Sequence, residues 1–134
     1  RVPRGEGVRR GGVATGVETF SRFLAVAGWE PDDIDRTFSH QVGIAHRRTM
    51  LEALGLRPQA DFTTFETLGN TGAAALPVTM ASGVERGVLR PDDRVALLGI
   101  GSGINCQMLA VEWAADPPHA DPSQAPPAAT AEPV

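Results

Sequence analysis

The segment that most constrains the fold is a nearly continuous apolar run over residues 94–100, RVALLGI. A strand that is apolar on both faces is typical of a central position in a sheet covered by helices on both sides. A Gly-Ser-Gly turn at residues 101–103 then reverses the chain into a further predicted strand, from Ile104 to Trp113. We therefore predict a layered α/β fold with a mixed sheet closed by a C-terminal hairpin.

Helices and strands alternate before that hairpin. Apolar spacing predicts helices from Gly12 to Ala27, Val42 to Leu54 (with Gly55 as its C-cap) and Gly72 to Arg86. It also predicts short strands from Arg36 to Ser39 and Asp61 to Phe65. The element order is then α-β-α-β-α-β-β. The third helix is rich in alanine and other small residues that let backbones approach closely, so we expect it to lie buried between two layers.

Both ends of the 134-residue chain differ from the single predicted domain, which we place at residues 13–114. Residues 1–12 are basic and glycine-rich and begin with Arg, so we interpret them as the poorly ordered edge of a longer polypeptide. Residues 115–134 are rich in proline and alanine. Such a composition buries too little apolar surface to offset its ordering entropy, so we expect a disordered tail.

Composition narrows the class of protein. A net charge of -4 gives no support for nucleic acid as the main partner. The single cysteine excludes an internal disulfide framework and suits a reducing, cytoplasmic compartment. No apolar run approaches the roughly 20 residues that span a bilayer. No His, Cys and carboxylate cluster has the spacing of a metal site, and we expect neither a metal nor a cofactor.

Two polar residues follow predicted strands and are candidates for chemistry. His40 ends the first strand, and Asn70 lies in the Gly-Asn-Thr-Gly turn that follows the second. A histidine at such a junction is more often structural, and asparagine in this turn is ordinary turn chemistry. Their joint placement on one side of the sheet is what favours function, because two hydrogen-bond donors can then converge on a developing oxyanion.

Three other features have plainer interpretations. The Gly99-x-Gly101-x-Gly103 pattern begins like a dinucleotide fingerprint, but a strand follows it where a helix N-terminus would hold a pyrophosphate. A turn whose backbone N–H groups bind an oxyanion fits better. Cys106 lies inside a predicted apolar strand and is interpreted as a small core residue, not a nucleophile. His46, Arg47 and Arg48 are expected to be solvated, with a second possibility that they line an entrance for phosphorylated carriers.

Four motifs together resemble a known family. They are Phe38-Ser39-His40-Gln41, residues 64–74 (TFETLGNTGAA), Arg90-Pro91-x-Asp93 and residues 98–103 (LGIGSG). Over residues 13–113 the chain resembles the C-terminal half of a 3-oxoacyl-[acyl-carrier-protein] synthase III, a condensing enzyme of the thiolase fold. Within that family it looks most similar to the acyl-CoA condensing enzymes of olefin biosynthesis. The resemblance implies two similar α/β/α halves packed together, and a homodimer.

The resemblance also implies an acyltransferase that joins acyl thioesters by Claisen condensation in fatty-acid or related acyl-chain biosynthesis. A cysteine on the N-terminal half takes the acyl group, and a second thioester forms the attacking carbanion. His40 and Asn70 match the family's pair that donates hydrogen bonds to the second thioester's carbonyl oxygen. The backbone at Gly101 and Ser102 matches the oxyanion turn, and Ile100 the position beside the acyl channel.

The chain departs from the family pattern in two respects. Gly43 and Ala45 stand where the family often has Asn and an Arg that serves the carrier protein, which favours CoA-bound substrates. The 134 residues do not include the nucleophilic cysteine, so we expect this chain alone to be inactive. Without the other half of the fold, we also expect the small-residue helix to expose apolar surface. Two alternatives stay open. One is a non-catalytic or degenerate half that pairs with a complete thiolase-fold chain, and the other is an unrelated small ligand-binding domain.

Overall fold

The computed structural model describes residues 4–101 and 105–114. Its helices are α1 (Arg4–Ala27), α2 (Ile44–Leu54), α3 (Phe65–Leu68) and α4 (Ala75–Glu85), and its strands are β1 (Arg36–Ser39), β2 (Asp61–Phe62), β3 (Arg94–Gly101) and β4 (Asn105–Glu112). Short 3-10 turns occupy Pro31–Asp33 and Gly72–Ala74. No helix within the described ranges is long and apolar enough to cross a membrane.

The four strands form one mixed sheet in the order β2-β1-β3-β4. Strand β1 pairs in parallel with both β2 and β3, whereas β4 pairs with β3 in an antiparallel hairpin. The apolar run over residues 94–100 is therefore an inner strand, because β1 and β4 flank it. The predicted α/β class, the mixed sheet and the closing hairpin are confirmed.

Helices α1 and α2 cover one face of the sheet with a well-filled apolar core. Its buried members come from both helices, from the segments that follow them, and from β3: Phe20, Phe23, Trp29, Ile34, Met50, Leu51, Leu54, Leu56, Ala96 and Leu98. Helix α2 ends at Gly55, whose left-handed backbone (φ 67°, ψ 24°) closes the last turn as the sequence predicts.

Helix α4 covers the opposite face at unusually short range. Its buried residues are Ala75, Thr79 and Gly83. A Cβ atom added to Gly83 would lie 2.5 Å from Cε1 of Phe38 in β1, so the contact requires glycine. Within the described residues this helix packs against one layer, and its outer face leaves Val78 and Val84 exposed, as expected for this chain without a partner half.

Three boundaries also differ from prediction. Helix α1 begins at Arg4 and not at Gly12, so part of the predicted ragged edge is helical. Strand β2 is two residues long, because the backbone leaves the extended conformation at Thr64 (φ -116°, ψ 6°), directly before α3. The predicted strand end, Phe65, instead starts the one-turn helix α3. The predicted tail (115–134) and the turn residues Ser102 and Gly103 lie outside the described residues.

Candidate functional site

An open cavity of about 560 Å³ lies beside the carboxyl ends of β1 and β3. Its lining includes His40, Asn70, Gly72, Leu76, Ile100 and Asn105. The two donor residues singled out in the sequence thus lie on the same cavity, although their segments are far apart in the chain. Its volume is in the range of sites that hold small organic ligands.

His40 is fixed by the sheet. It follows Ser39 directly, and its backbone N–H donates to the carbonyl oxygen of Leu98 at 3.0 Å, which continues the β1–β3 pairing by one residue. Burial lowers the pKa of the half-buried imidazole, and repulsion from His46 lowers it further. At neutral pH the ring is therefore uncharged, with one N–H that donates and one nitrogen that accepts.

Asn70 lies in an exposed turn between α3 and the 3-10 turn at Gly72–Ala74. Its side-chain Oδ1 accepts the backbone N–H of Gly72 at 2.9 Å, the pattern of an Asx turn. The oxygen of the carboxamide is thereby engaged with the chain itself. The amide nitrogen, Nδ2, is the end of this side chain that can donate to a ligand.

The sequence marks Gln41 only as part of a motif, but the structure shows that its side chain is buried, with 3% of the residue exposed. Its Nε2 donates to the carbonyl oxygen of Ser39 at 2.7 Å, and its Oε1 accepts the hydroxyl of Thr63 at 2.7 Å. Both ends of the carboxamide therefore bind protein groups on either side of the His40 segment. The signal in the sequence that could have indicated this role is the presence of a polar residue directly after His40.

The sequence patterns also do not single out Asp61, a buried carboxylate next to this segment. Asp61 Oδ2 accepts Nε of Arg47 at 2.6 Å, while Oδ1 accepts the hydroxyls of Thr37 and Ser39 at 2.9 and 3.2 Å. Burial raises the pKa of this carboxyl, and the hydrogen bonds from Arg47 and Thr37 oppose that rise. The Asp61 cluster, which comprises these four residues, joins β1, β2 and α2.

The prediction that Arg47 is solvated is therefore wrong, because its guanidinium is drawn onto a buried carboxylate. Arg48 is solvated as predicted, and its Nε pairs with Oε1 of Glu52 at 2.9 Å between two largely exposed side chains. His46 is half-buried and lines a narrow, mainly apolar cavity behind His40, with Met50 among its neighbours. Ile100 contributes to both cavities.

The remaining candidates lie around the hairpin. Cys106 pairs with Ile100 across β3 and β4, and it is half-buried instead of part of the core, which corrects the prediction of a core residue. A strand follows the glycine-rich turn, as the rejection of a dinucleotide site required. Gly101 ends β3, and Ser102 lies outside the described residues. Within residues 4–101 and 105–114, no group of three His, Cys, Asp or Glu side chains could hold a metal ion.

Residues 24–113 match the family model described as 3-oxoacyl-[acyl-carrier-protein (ACP)] synthase III C terminal. The chain belongs to this family.

Among relatives, an acyl-CoA:acyl-CoA alkyltransferase from Shewanella oneidensis is 44% identical over 102 residues, which are 76% of this chain and 29% of that protein. A beta-ketoacyl-[acyl-carrier-protein] synthase III from Staphylococcus haemolyticus is 30% identical over 96 residues, 72% of this chain and 31% of that protein. The chain thus spans about 30% of the length of the curated relatives it matches.

Solved structures show the same likeness. Xanthomonas campestris OleA, in a C143S variant with bound lauric acid and lauroyl-CoA, superposes with a TM-score of 0.78 at 34% identity, over 82% of this chain and 33% of that one. A 3-oxoacyl-(acyl carrier protein) synthase III from Xanthomonas oryzae gives a TM-score of 0.78 at 36% identity, over 84% and 33%. The domain therefore has the fold of the C-terminal part of these enzymes.

Proposed function

We propose that this chain supplies the carbanion-stabilising half of an acyltransferase that condenses two acyl thioesters. The observation that carries the proposal is the common cavity lined by His40 and Asn70. In the proposed reaction a cysteine thiolate of an N-terminal half takes the acyl group from the first thioester and releases the carrier thiolate, which takes up a proton from solvent. The α-carbon of the second thioester loses carbon dioxide, or a proton to a general base, attacks the acyl carbonyl and expels the cysteine thiolate.

His40 and Asn70 act on the second thioester. As its α-carbon becomes nucleophilic, negative charge collects on its carbonyl oxygen, and a neutral imidazole N–H and the Nδ2 amide of Asn70 donate to that oxygen. The lowered pKa of His40 suits this task, because a neutral imidazole can donate its N–H to the oxygen without placing a positive charge in a partly buried position. Each well-placed donor of this kind contributes about 3–4 kcal/mol to lowering the barrier.

The remaining predicted site residues have supporting roles in the proposal. The backbone N–H groups at Gly101 and Ser102 bind the oxyanion formed at the acyl-enzyme, and Ile100 borders the acyl chain. The position of Ile100 on both cavities supports that role, since it borders the cavity lined by His40 and Asn70 as well as the narrow apolar one. A homodimer and a cytoplasmic location belong to the same proposal.

CoA is the carrier we propose for both thioesters. The relative named for acyl-CoA substrates is 44% identical, against 30% for a relative named for the acyl carrier protein. Gly43 and Ala45 also stand where the resemblance implied a carrier-protein contact. Offering lauroyl-CoA alone and lauroyl-CoA with malonyl-CoA separates proton removal from decarboxylation as the source of the carbanion.

The test combines this chain with the N-terminal part of the Shewanella relative, on which the proposal places the cysteine, and measures two steps. Acylation of the cysteine is followed by mass spectrometry, and condensation by thiol release and product analysis. We expect His40→Ala and Asn70→Ala each to slow condensation about 100- to 1,000-fold and to leave acylation unchanged. Asn70→Asp should be equally slow, because it keeps the turn acceptor and removes the donor. Arg48→Ala is the control.

Two results would contradict the proposal. Wild-type condensation by both alanine variants in a folded, acylated complex would remove the role of the pair. A folded complex in which neither acylation nor condensation occurs would favour the alternative, a non-catalytic half that pairs with a complete chain. We expect the 134 residues alone to form no acyl-enzyme.

A further inference from the structure

The carboxamide of Gln41 links the two segments that carry His40 and Asn70. On one side its Nε2 donates to the carbonyl oxygen of Ser39, the residue directly before His40, at 2.7 Å. On the other side its Oε1 accepts the Thr63 hydroxyl at 2.7 Å. The side chain is 3% exposed, so water does not compete for these bonds.

The link continues from Thr63 towards Asn70. The Thr63 hydroxyl also accepts the backbone N–H of Phe65, the first residue of α3, at 3.2 Å. The last bond of that helix runs from the N–H of Gly69 to the carbonyl oxygen of Phe65 at 2.9 Å, and Asn70 follows directly. A short series of hydrogen bonds thus runs from the peptide before His40 to the residue before Asn70.

We propose that Gln41 is a positioning residue that sets the separation between the His40 imidazole and the Asn70 amide. The proposal rests on the proposed function, in which both groups donate to one oxygen. Only a glutamine-length carboxamide offers a donor and an acceptor at this reach, because glutamate lacks the donor, methionine lacks both and asparagine is one methylene shorter. A displacement of about 1 Å between reacting groups is enough to cost roughly 100-fold in rate.

Each segment is also anchored independently of Gln41. In the Asp61 cluster, Oδ1 of Asp61 accepts the hydroxyl of Ser39. On the other side, the hydroxyls of Thr64 and Thr79 share a buried hydrogen bond of 2.7 Å that ties the start of α3 to α4. Removing the Gln41 bonds should therefore leave the fold intact and change the relative placement of the two donors.

The test uses the same two-half complex and its separate acylation and condensation assays. We expect Gln41→Met to lower the kcat of condensation about 10- to 100-fold, with KM changed less than about twofold and cysteine acylation unchanged. Thr63→Val should produce part of this loss, and Thr63→Ser, which keeps the hydroxyl, should restore the rate. In Gln41→Met combined with Thr63→Val the losses should not add, because both remove one link.

A pH profile distinguishes positioning from a general structural defect. In Gln41→Glu the carboxylate repels the Ser39 carbonyl, whereas the protonated acid can donate to it. The activity of Gln41→Glu relative to wild type should therefore rise as the pH falls. Gln59→Met, the same substitution at an exposed glutamine before β2, is the matched control and should show neither the loss nor the pH effect.

The possible failures are distinguishable. Wild-type condensation by Gln41→Met, in a complex where His40→Ala and Asn70→Ala are slow, would overturn the positioning role and leave the proposed function standing. Equal losses of acylation and condensation with a lowered Tm would also overturn it, since that pattern is structural damage. If Gln41→Met does not fold, the Thr63→Val and Thr63→Ser pair supports or overturns the role by the same criteria.

Discussion

The segments that carry His40 and Asn70 are held in place by different means. His40 continues the pairing of two strands, and the residues on either side of it, Ser39 and Gln41, bond to other elements of the fold. Asn70 is exposed and follows a four-residue helix, and its neighbours Gly69 and Gly72 both have positive φ angles of 64°.

The contrast shows that one donor is placed by tertiary contacts and the other by local turn chemistry. Tertiary anchoring fails when a buried partner is removed, because the polar groups left behind lose their hydrogen bonds in a dry environment. A turn fails when its backbone conformation is denied, whatever surrounds it. Substitutions in the two segments should therefore damage the protein by different routes.

The largest stability effect is expected in the His40 segment. Asp61→Ala removes a carboxylate whose side chain is 0% exposed, and it takes this acceptor from Nε of Arg47 and from the hydroxyls of Thr37 and Ser39. Arg47 is partly exposed and keeps the backbone carbonyl of Asp61 as an acceptor, so the cost comes from the hydrogen bonds lost, at about 1–3 kcal/mol each. Urea unfolding of the 134-residue chain measures this. Glu52→Ala, which breaks the exposed pair with Arg48, is the control and should leave the midpoint unchanged. A loss below about 1 kcal/mol for Asp61→Ala would show that the anchoring lies elsewhere.

An intermediate effect is expected in the Asn70 segment. Gly69 has φ 64° and ψ -154°, a conformation almost confined to glycine, whereas Gly55 has left-handed helical angles that asparagine tolerates. Gly69→Asn should therefore cost about 1–3 kcal/mol and Gly55→Asn clearly less. Neither site has another atom within 4 Å of the added Cβ, so the comparison isolates backbone strain. Equal losses at both positions would refute the local explanation for the Asn70 turn.

The sequence was sufficient where a single segment determines the outcome. The apolar run over 94–100 is an inner strand, His40 does follow β1, and Gly55 does close α2. In each of these the signal and the structure lie within a few neighbouring residues. The family motifs added the C-terminal condensing-enzyme fold, which periodicity alone does not specify.

The sequence was insufficient where distant residues meet. The DFTTF run alternates like a strand, but the backbone turns into α3 at Thr64, whose hydroxyl bonds to Thr79 on α4, and the Thr63 hydroxyl bonds to Gln41. Asp61 looks like an ordinary strand residue until β1 and α2 bring hydroxyls and a guanidinium to it. The exposure of α4 depends on what packs against its outer face, which its own composition does not state.

The smallest expected effect concerns the protonation of His40. Its folded-state pKa lies below the ordinary 6.5, first because of burial and then because of His46, and Arg47 lines the same cavity. Between this value and the unfolded-state pKa, the unfolded chain therefore binds more protons than the folded chain. The stabilisation that comes from the neutral His40 ring is complete above about pH 6.5, and it is lost as the pH falls through the folded-state pKa.

His40→Gln should flatten the dependence of the unfolding free energy on pH below about 6.5. His46→Gln, which removes the repulsion and keeps the burial, should raise the pKa of His40 only part of the way towards 6.5, as followed by NMR titration of the imidazole. An unchanged pKa in that variant would assign the shift to burial alone. A full return to 6.5 would assign it to His46. The comparison thus decides whether His40 is kept neutral by burial or by the charge of His46 on α2. The exposed amide of Asn70, the other proposed donor, does not titrate.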